Sequence, residues 1–434
     1  MEIPKLPQYS LMRRKKAIVF TEYLHKLESV ESAQRAGFAA VLVTRKIRNG
    51  AAKVFDEIFE MDLNQREVWD DLAKKLKAKY NVKAVVSNYD HFVVQRSYLA
   101  ERLGVASTAV YAACCTRNKV LMRKALAVIP ENIEFEEVKT LAEAKKARKK
   151  LGGDVYLKSI AGIKSRCIFH VKSEAALTRA WKEFCRLKAE LDEELYNDFH
   201  YLDFRFNYPN PRKTVLVEKA IEGKQVTVCS LVDSHRIWHA PSVCDVATAA
   251  EIGRDDSFLA FRILPSQQPK GIWREAKKIT ETAIRILGLR NCAIHSELII
   301  EPDGKVKIIE IASRIGGYRT LMYSHAYGFY LPDLVIRAVT GRPVKIRKKA
   351  QQFVSLLELF PKKNGKFARI ENLKELRKDS SFDHIKIKAK RNQAVGLARE
   401  NFEPVAAILL KGKNYKELEK KSFYFQEKLN VVVR

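Results

Sequence analysis

Short apolar runs alternate with amphipathic stretches over the first hundred residues of the chain. Three of these runs, at residues 17–20, 38–43 and 84–86, are predicted to be strands. Because strands that alternate with helices form a parallel sheet covered by helices, the pattern predicts an N-terminal α/β unit. The turn after the first run, residues 21–25, lacks a GxGxxG sequence. A dinucleotide site is therefore not expected there.

The rest of the chain divides into a second and a third region. The second begins near residue 115 and contains, at residues 174–200, a charged stretch with apolar residues at three- and four-residue spacing, which predicts a long helix. Beyond Pro343, residues 353–359 and 405–410 resemble strands and residues 415–428 resemble a helix. We therefore expect a folded third unit at the C-terminus.

The composition indicates how much of the chain can be buried in hydrophobic cores and which sign of charge predominates. The chain has 434 residues, of which 47% are apolar and 30% charged, which suits about three folded units and argues against disorder. Lys and Arg number 80 against 51 Asp and Glu, a net charge of +29. The segment from residue 346 onward carries 22 of these cations against 10 acidic residues. An anionic partner or substrate is expected: a nucleotide, a nucleic acid, a membrane surface or an acidic metabolite.

Cysteine usage and the apolar runs indicate the compartment. The seven cysteines are odd in number and include no CxxC pair, which is typical of reduced thiols. The chain contains no run of about 20 apolar residues. The basic residues 12–16 are followed by only four apolar residues, too few for a signal peptide. We expect a soluble, cytoplasmic protein.

The clearest chemical pattern lies in a predicted hairpin. Two apolar runs, residues 294–300 and 305–312, flank the turn residues 301–304, which have the Pro-Asp-Gly type. Glu297 and Glu310 would lie near the same level of such a pair. Mg²⁺ is commonly bound by one or two carboxylates together with substrate phosphates, which these two residues could supply. An ordinary hairpin with two solvent-facing glutamates remains the alternative from these residues alone.

Several cations surround this pattern in the sequence. Arg314 follows the second glutamate by four residues and precedes Gly316 and Gly317, which would let backbone amides approach an anionic ligand. Lys158 ends a strand-like run before a short polar loop, and Lys119 opens a helix-like stretch. Two lysines, a loop, a carboxylate pair and an arginine suffice to hold a triphosphate with Mg²⁺ and to transfer its terminal group.

The order of these pieces resembles the ATP-grasp superfamily over nearly the whole chain. The matching pieces are the helix-opening lysine, the strand lysine before a loop, a Glu-x-x-hydrophobic hinge at residues 218–221, and a hairpin that closes in Glu-x-x-x-Arg-x-Gly-Gly. Residues 287–297 and 327–344 are similar to the carboxylate-amine ligases of that superfamily, especially to L-amino-acid ligases. The resemblance implies an α/β and α+β protein. It implies a Rossmann-like pre-ATP-grasp domain at 1–115, a two-lobed ATP-grasp domain at 116–345 and a small basic C-terminal α+β lobe at 346–434.

The resemblance also implies cofactors and site residues. The cofactors are ATP and Mg²⁺ or Mn²⁺. The implied residues are Lys119, Lys158 and Ser165 for the phosphates, Glu218, Lys219 and Ile221 for adenine, Glu222 for the ribose, Glu297 and Glu310 for the metal, and Arg314 for the acyl phosphate.

Three positions depart from the family pattern. The loop at residues 161–167 contains one glycine where the family has a glycine-rich loop. Ala312 stands where many members have an asparagine, and Gln225 where they often have a glutamate. The number of metal ions and the closure of the loop are therefore open questions. His295 is expected to be a packed, hydrogen-bonded histidine.

The implied function is that of an ADP-forming ligase. It would join an amino acid, or a similar carboxylate, to an amine through an acyl phosphate, with small-molecule substrates, no membrane partner and a homodimeric state. One alternative is a biotin-carboxylase-like activation of bicarbonate. The other is a non-catalytic member that binds a nucleotide or nucleic acid. Nucleic acid is not the expected partner, although the charge of +29 leaves it open.

Overall fold

The computed structural model describes residues 14–21, 28–47, 50–63, 66–162, 167–190, 208–400 and 402–434. The helices, in chain order, are α1 Glu28–Arg35, α2 Arg66–Lys79, α3 Val93–Leu103, α4 Val110–Arg117, α5 Lys119–Ala125, α6 Leu141–Lys150, α7 Glu174–Glu190, α8 Lys270–Leu287, α9 Arg319–Tyr327, α10 Leu331–Val339, α11 Leu373–Lys378 and α12 Tyr415–Lys428. The strands are β1 Lys15–Thr21, β2 Ala39–Thr44, β3 Glu57–Glu60, β4 Tyr80–Val86, β5 Phe135–Val138, β6 Val155–Ser159, β7 Ile168–Val171, β8 Val215–Lys219, β9 Lys224–Val232, β10 Ile237–His239, β11 Cys244–Thr248, β12 Leu259–Leu264, β13 Cys292–Ile300, β14 Val306–Ala312, β15 Phe353–Leu359, β16 Gly365–Ile370, β17 Phe382–Ile387, β18 Ala394–Val395, β19 Ala406–Gly412 and β20 Val431–Val433.

The N-terminal sheet has four parallel strands in the order β3-β2-β1-β4. All six residues of β2 are buried, as are the last five of β1, which suits a sheet covered on both faces. The three apolar runs at the start of the sequence form β1, β2 and β4. The predicted parallel sheet is confirmed.

A second sheet has the order β5-β8-β6-β7 and pairs its strands in antiparallel fashion. Helices α6 and α7 contribute buried side chains to the same apolar core, among them Leu177 and Phe184. The predicted helix at 174–200 is confirmed as far as Glu190, and residues 191–200 lie outside the described part of the chain.

A third sheet joins the middle of the chain to its C-terminal segment. Its order is β14-β13-β9-β11-β12-β15-β19-β17, with β10 added beside β9. The predicted C-terminal strands are β15 and β19, and the predicted helix at 415–428 is α12. Because β12 pairs with β15, the sheet crosses the predicted boundary at 345/346 without a break. The division into three domains stays a prediction.

One apolar core connects the N-terminal sheet with the predicted hairpin. It includes Val19 and Val41 from the N-terminal strands and Ile294 and Ile311 from β13 and β14. Burial of these side chains removes apolar surface from water and so stabilises the contact. The N-terminal unit is therefore packed directly against the elements that carry the candidate metal ligands.

The seven cysteines are free thiols, and six of them are buried. The expectation of reduced thiols stays a prediction. Burial raises the pKa of Cys115 to about 11, so this thiol is protonated at neutral pH. In the described part of the chain, no helix has the length and apolar character needed to cross a membrane.

Candidate nucleotide and metal site

The predicted hairpin is present, and its register aligns the two glutamates. Strands β13 and β14 pair in antiparallel fashion with Glu297 directly opposite Glu310. Gly304 closes the turn with a backbone hydrogen bond of 2.9 Å to the carbonyl of Glu301. The exposed fractions of the two glutamate side chains are 27% and 26%, so both are half-buried. This differs from the alternative of an ordinary hairpin with two solvent-facing glutamates. The expectation that they lie at one level is confirmed.

Two neighbours orient the Glu297 carboxylate. The side-chain amide of Gln225 donates to Oε2 at 3.2 Å, and Nε2 of His295 lies 3.5 Å from Oε1. Burial would raise the pKa of Glu297, but the hydrogen bond from His295 and the charges of Arg314 and Lys119 lower it to about 2. The carboxylate is therefore ionised at neutral pH, as a metal ligand must be.

His295 is the packed histidine that the sequence predicts. It is 6% exposed and its ring contacts Glu297. Burial lowers the pKa of His295 to about 4, and the nearby charge of Arg319 acts in the same direction. The imidazole is thus neutral at pH 7 and acts as a neighbour of the glutamate pair.

Lys119 lies between the hairpin and the loop that follows β6. Its Nζ is 3.3 Å from Oε2 of Glu310 and donates to the carbonyl of Gly162 at 2.9 Å. Asn118 caps the N-terminus of α5 by accepting from the amides of Val120 and Leu121. The cap fixes the first turn of the helix, and with it the lysine.

Lys158 and Glu218 form a second cluster, in which the Lys158 side chain is 11% exposed and that of Glu218 is 1% exposed. Nζ of Lys158 and Nε of Arg123 each lie 2.6 Å from one oxygen of Glu218. Burial would raise the pKa of Glu218, but Arg123 and Lys158 together lower it to about 2. Because both oxygens are engaged by cations, the predicted role of this residue toward adenine would fall to its backbone. That role stays a prediction.

The remaining hinge residues border an open cavity. Lys219 and Ile221 form part of the lining of a cavity of about 630 Å³, whose wall also includes Lys150 and Lys307. Glu222 is exposed. A side chain at Gly223 would lie 2.1 Å from the carbonyl oxygen of Ile300, so glycine is required where the hinge approaches β13.

Arg314 contacts the N-terminal unit as well as the hairpin. Its Nε donates to Oδ2 of Asp90 at 2.8 Å, and its Nη1 donates to the carbonyl of Ile315 at 3.1 Å. The charges of Glu310 and Glu297 act on the same guanidinium. Arg314 therefore lies near both candidate metal ligands.

The structure brings Lys119, Glu297, Glu310 and Arg314 into one site. It places Lys158 and Glu218 in the adjoining cluster. Ser165 lies outside the described residues, together with the rest of 163–166. Ala312, which stands at the family's asparagine position, is a buried residue of β14.

Sequence reasoning missed Arg123 and Asp90. Arg123 follows Lys119 by four residues on α5, so the helical period could have placed it on the same face. Asp90 carries no such signal, because 224 residues separate it from Arg314.

The donor set suits a hard cation. In the part of the chain that the structure describes, no group of three or more His, Cys, Asp or Glu side chains converges as a complete metal centre. Two opposed carboxylates with an amide neighbour are instead the kind of incomplete site that Mg²⁺ occupies together with nucleotide phosphates. Glu297 and Glu310 fit that ion.

Comparisons by sequence find no matching family model and no matching curated protein. Comparison with solved structures does find matches. An L-amino acid ligase from Bacillus licheniformis matches with a TM-score of 0.78 and 17% identity, over 97% of this chain and 99% of that one. The chain has the ATP-grasp fold.

Other ATP-grasp structures match over a similar length. N5-carboxyaminoimidazole ribonucleotide synthetase from Thermotoga maritima gives a TM-score of 0.68 at 16% identity, over 97% of this chain and 100% of that one. The biotin carboxylase domain of the Hydrogenobacter thermophilus 2-oxoglutarate carboxylase, a complex with MgADP, ADP and bicarbonate, gives 0.66 at 16% identity, over 97% and 91%. The fold class predicted from the resemblance is confirmed.

Proposed function

We propose that the protein is an ATP-dependent, ADP-forming ligase that joins the carboxylate of an amino acid, or of a similar small molecule, to an amine. One observation carries the proposal. Within an ATP-grasp fold, Glu297 and Glu310 lie opposite each other, and Lys119 contacts Glu310 from the side of the loop after β6. Arg314 lies near both glutamates. This combination suits the transfer of a phosphoryl group.

Nucleotide binding would use the two lysines and the hinge. ATP-grasp structures that match this chain include complexes with ADP and with MgADP, which supports ATP as the nucleotide. Lys119 is placed to reach a phosphate between the hairpin and Gly162. Lys158 would turn from Glu218 toward a phosphate, leaving Arg123 as the remaining partner of that carboxylate. Lys219 and Ile221 would present their backbone to adenine. Ser165 would lie over the phosphates and Glu222 would contact the ribose.

Glu297 and Glu310 would hold Mg²⁺ or Mn²⁺. Gln225 and His295 would orient the first of these carboxylates. When bound, the ion supplies charge neutralisation for the phosphates.

The chemistry follows in two steps. An oxygen of the substrate carboxylate attacks the γ-phosphorus of ATP, the bond to the bridging oxygen breaks, and ADP leaves. The amine then attacks the carbonyl carbon of the acyl phosphate, phosphate leaves, and the nitrogen loses a proton. Arg314 would stabilise the negative charge on the acyl phosphate and on the tetrahedral species that follows. Two easier steps thus replace one difficult condensation of the carboxylate with the amine.

An amino acid is proposed as the carboxylate substrate because the L-amino acid ligase matches over 97% of this chain with a TM-score of 0.78. The amine is proposed to be a small molecule as well. The expected homodimer and cytoplasmic location stay predictions.

Nucleotide product analysis tests the proposal. Purified protein is incubated with Mg²⁺, ATP and the twenty amino acids, beside the variants Glu310→Gln and Glu301→Gln. Glu301 lies in the turn of the same hairpin and serves as the matched control. We expect amino-acid-dependent ADP and phosphate from the wild type and from Glu301→Gln, and none from Glu310→Gln. AMP and pyrophosphate as products would contradict the mechanism.

The alternatives give different outcomes in the same experiment. ADP formation that depends on bicarbonate and not on amino acids would favour the carboxylase, for which the biotin carboxylase domain is the structural parallel. No turnover, combined with steeply salt-dependent binding of RNA or DNA, would favour the non-catalytic alternative.

A further inference from the structure

A short turn of the N-terminal unit contacts the candidate catalytic arginine. The 3₁₀ turn Asp90–Phe92 follows β4 and leads into α3. Its first residue, Asp90, accepts a hydrogen bond of 2.8 Å from Nε of Arg314. The exposed fractions of the two side chains are 13% and 19%. A largely buried ion pair therefore joins the N-terminal unit to the loop that follows β14.

The backbone of that loop is held from the same side. Arg96, on α3, donates from Nη1 to the carbonyl of Ser313 at 2.9 Å, and the hydroxyl of Thr116 lies 2.9 Å from that of Ser313. These contacts fix the position of the Arg314 backbone. The direction of its guanidinium then depends on what the side chain contacts.

Three carboxylates act on this guanidinium. Asp90 bonds to it directly, and the charges of Glu310 and Glu297 also act on it. Attraction to the glutamate pair alone would draw the guanidinium onto the candidate metal ligands. The hydrogen bond to Asp90 instead holds the guanidinium at Nε. Burial would raise the pKa of Asp90, but the charges of Arg314, Arg117 and His91 lower it to about 2, so this carboxylate is ionised at neutral pH.

The hydrogen bonds leave one terminal nitrogen available. Nε donates to Asp90 and Nη1 to the carbonyl of Ile315. Nη2 has no acceptor among the residues that the structure describes. A guanidinium held at Nε and Nη1 can thus present Nη2 to an anion without rotating.

We propose that Asp90 is a positioning residue, which holds the Arg314 guanidinium away from the Glu297 and Glu310 carboxylates and directs Nη2 to the charge that develops during the ligase reaction. This inference rests on the proposed function. It gives the N-terminal unit a part in the chemical step, separate from nucleotide binding.

Steady-state kinetics of Asp90→Asn test the inference. The variant keeps the size of the side chain and removes its charge. Since a misplacement of about 1 Å can cost about 100-fold in rate, we expect kcat to fall about 10- to 100-fold. We expect KM for ATP and the affinity for MgADP to stay unchanged, whereas the thermal midpoint should fall because Arg314 loses a largely buried partner. Asp90→Glu should restore part of kcat. The matched control is Asp70→Asn, which removes another N-terminal carboxylate that is paired with an arginine, Arg102. Its kcat should equal that of the wild type.

A double-mutant cycle separates positioning from a merely structural role. If Asp90 acts through Arg314, then Asp90→Asn should reduce kcat no further once Arg314→Lys is present. Additive losses, or an affinity for MgADP that falls in parallel with kcat in Asp90→Asn, would overturn the inference.

A measurement independent of turnover keeps the two proposals distinguishable. The Nε–H resonance of Arg314, assigned with Arg314→Lys, should be protected from solvent exchange in the wild type and should lose that protection in Asp90→Asn. Absence of turnover in the wild type would refute the proposed function. It would also refute the catalytic purpose of the ion pair between Asp90 and Arg314. An unprotected resonance in an active wild-type enzyme would refute the inference alone.

Discussion

Nε of Arg123 lies 2.6 Å from Oε1 of Glu218, and the exposed fractions of the two side chains are 0% and 1%. The same guanidinium donates from Nη1 to the carbonyl of Ile308 at 2.9 Å and from Nη2 to that of Ile309 at 2.7 Å. Glu218 belongs to β8 of the four-stranded antiparallel sheet β5-β8-β6-β7, whereas the two carbonyls belong to β14, which carries Glu310. One buried side chain therefore fixes the distance between the hinge and the glutamate pair.

Replacement of Arg123 by methionine should destabilise the fold. The change leaves Glu218 with Lys158 as its remaining charged partner and removes the donors for one buried and one part-buried carbonyl. Loss of one member of a buried pair costs about 3–5 kcal/mol. We expect a decrease of that order in the free energy of unfolding, measured by urea denaturation at pH 7.

The neighbouring residue provides the control. Lys124 forms an exposed pair with Glu137 at 2.6 Å. Lys124→Met should cost less than about 1 kcal/mol. Equal stability of the Arg123→Met and Lys124→Met proteins would show that the buried contact contributes nothing.

The stability contributed by Glu218 should disappear in acid. Its pKa is lowered from the ordinary value of 4.5 to about 2 in the folded protein. A depressed pKa in the folded state stabilises the fold above the unfolded pKa, and this contribution is lost as the pH falls from about 4.5 to about 2. The difference in unfolding free energy between the wild type and Glu218→Gln should be largest at neutral pH and shrink across that interval. A difference in unfolding free energy that stays constant between pH 7 and pH 2.5 would contradict the lowered pKa of Glu218.

Gln225→Ala should weaken metal binding. The amide donates to Glu297 at 3.2 Å and so orients a candidate ligand. Loss of such a supporting contact costs about 10- to 100-fold in metal affinity. We expect the Mg²⁺ concentration for half-maximal ATP turnover to rise by that factor. Gln267→Ala, at an exposed position, is the control. An unchanged Mg²⁺ requirement would show that the amide does not orient the carboxylate.

Lys119→Met should change two affinities in opposite directions. Nζ of Lys119 lies 3.3 Å from Glu310, where its positive charge opposes a metal ion. Removal of that charge should tighten binding of Mn²⁺ in the absence of nucleotide. The same change should weaken binding of MgADP, because Lys119 is proposed to bind a phosphate. Calorimetric titrations of both ligands measure the effects, with Lys124→Met as the control. Loss of affinity for both would indicate damage to the hairpin instead.

The parts of the site that the sequence predicts are those set by local rules. Glu297 and Glu310 could be paired in advance because the turn at residues 301–304 and the alternation of a strand fix the register of a hairpin. The helix at 415–428 is another such case, since its apolar spacing spans one continuous segment. The parallel order of the N-terminal strands follows from their alternation with helices.

The parts that the sequence does not predict depend on contacts between distant segments. The sequence shows that Glu218 is followed by a hinge-like pattern, but it does not show which cations a buried carboxylate will meet. Arg123 is 95 residues away from Glu218, and Asp90 is 224 residues away from Arg314. Strand β15 likewise pairs with β12 across about a hundred residues, which no local pattern specifies.

The uninterrupted large sheet limits how this protein can be recombined. Strand β15 meets β12 through four residue pairs, from Phe261 with Leu357 to Leu264 with Val354, and α12 adds Phe425 to the same core. A chimera with the C-terminal segment of another protein of this fold would have to match this register and this interface at once. A fragment that stops at residue 345 would expose the open edge of β12, which invites edge-to-edge aggregation. The basic C-terminal segment is thus inherited with the rest of the chain, and not as an interchangeable module.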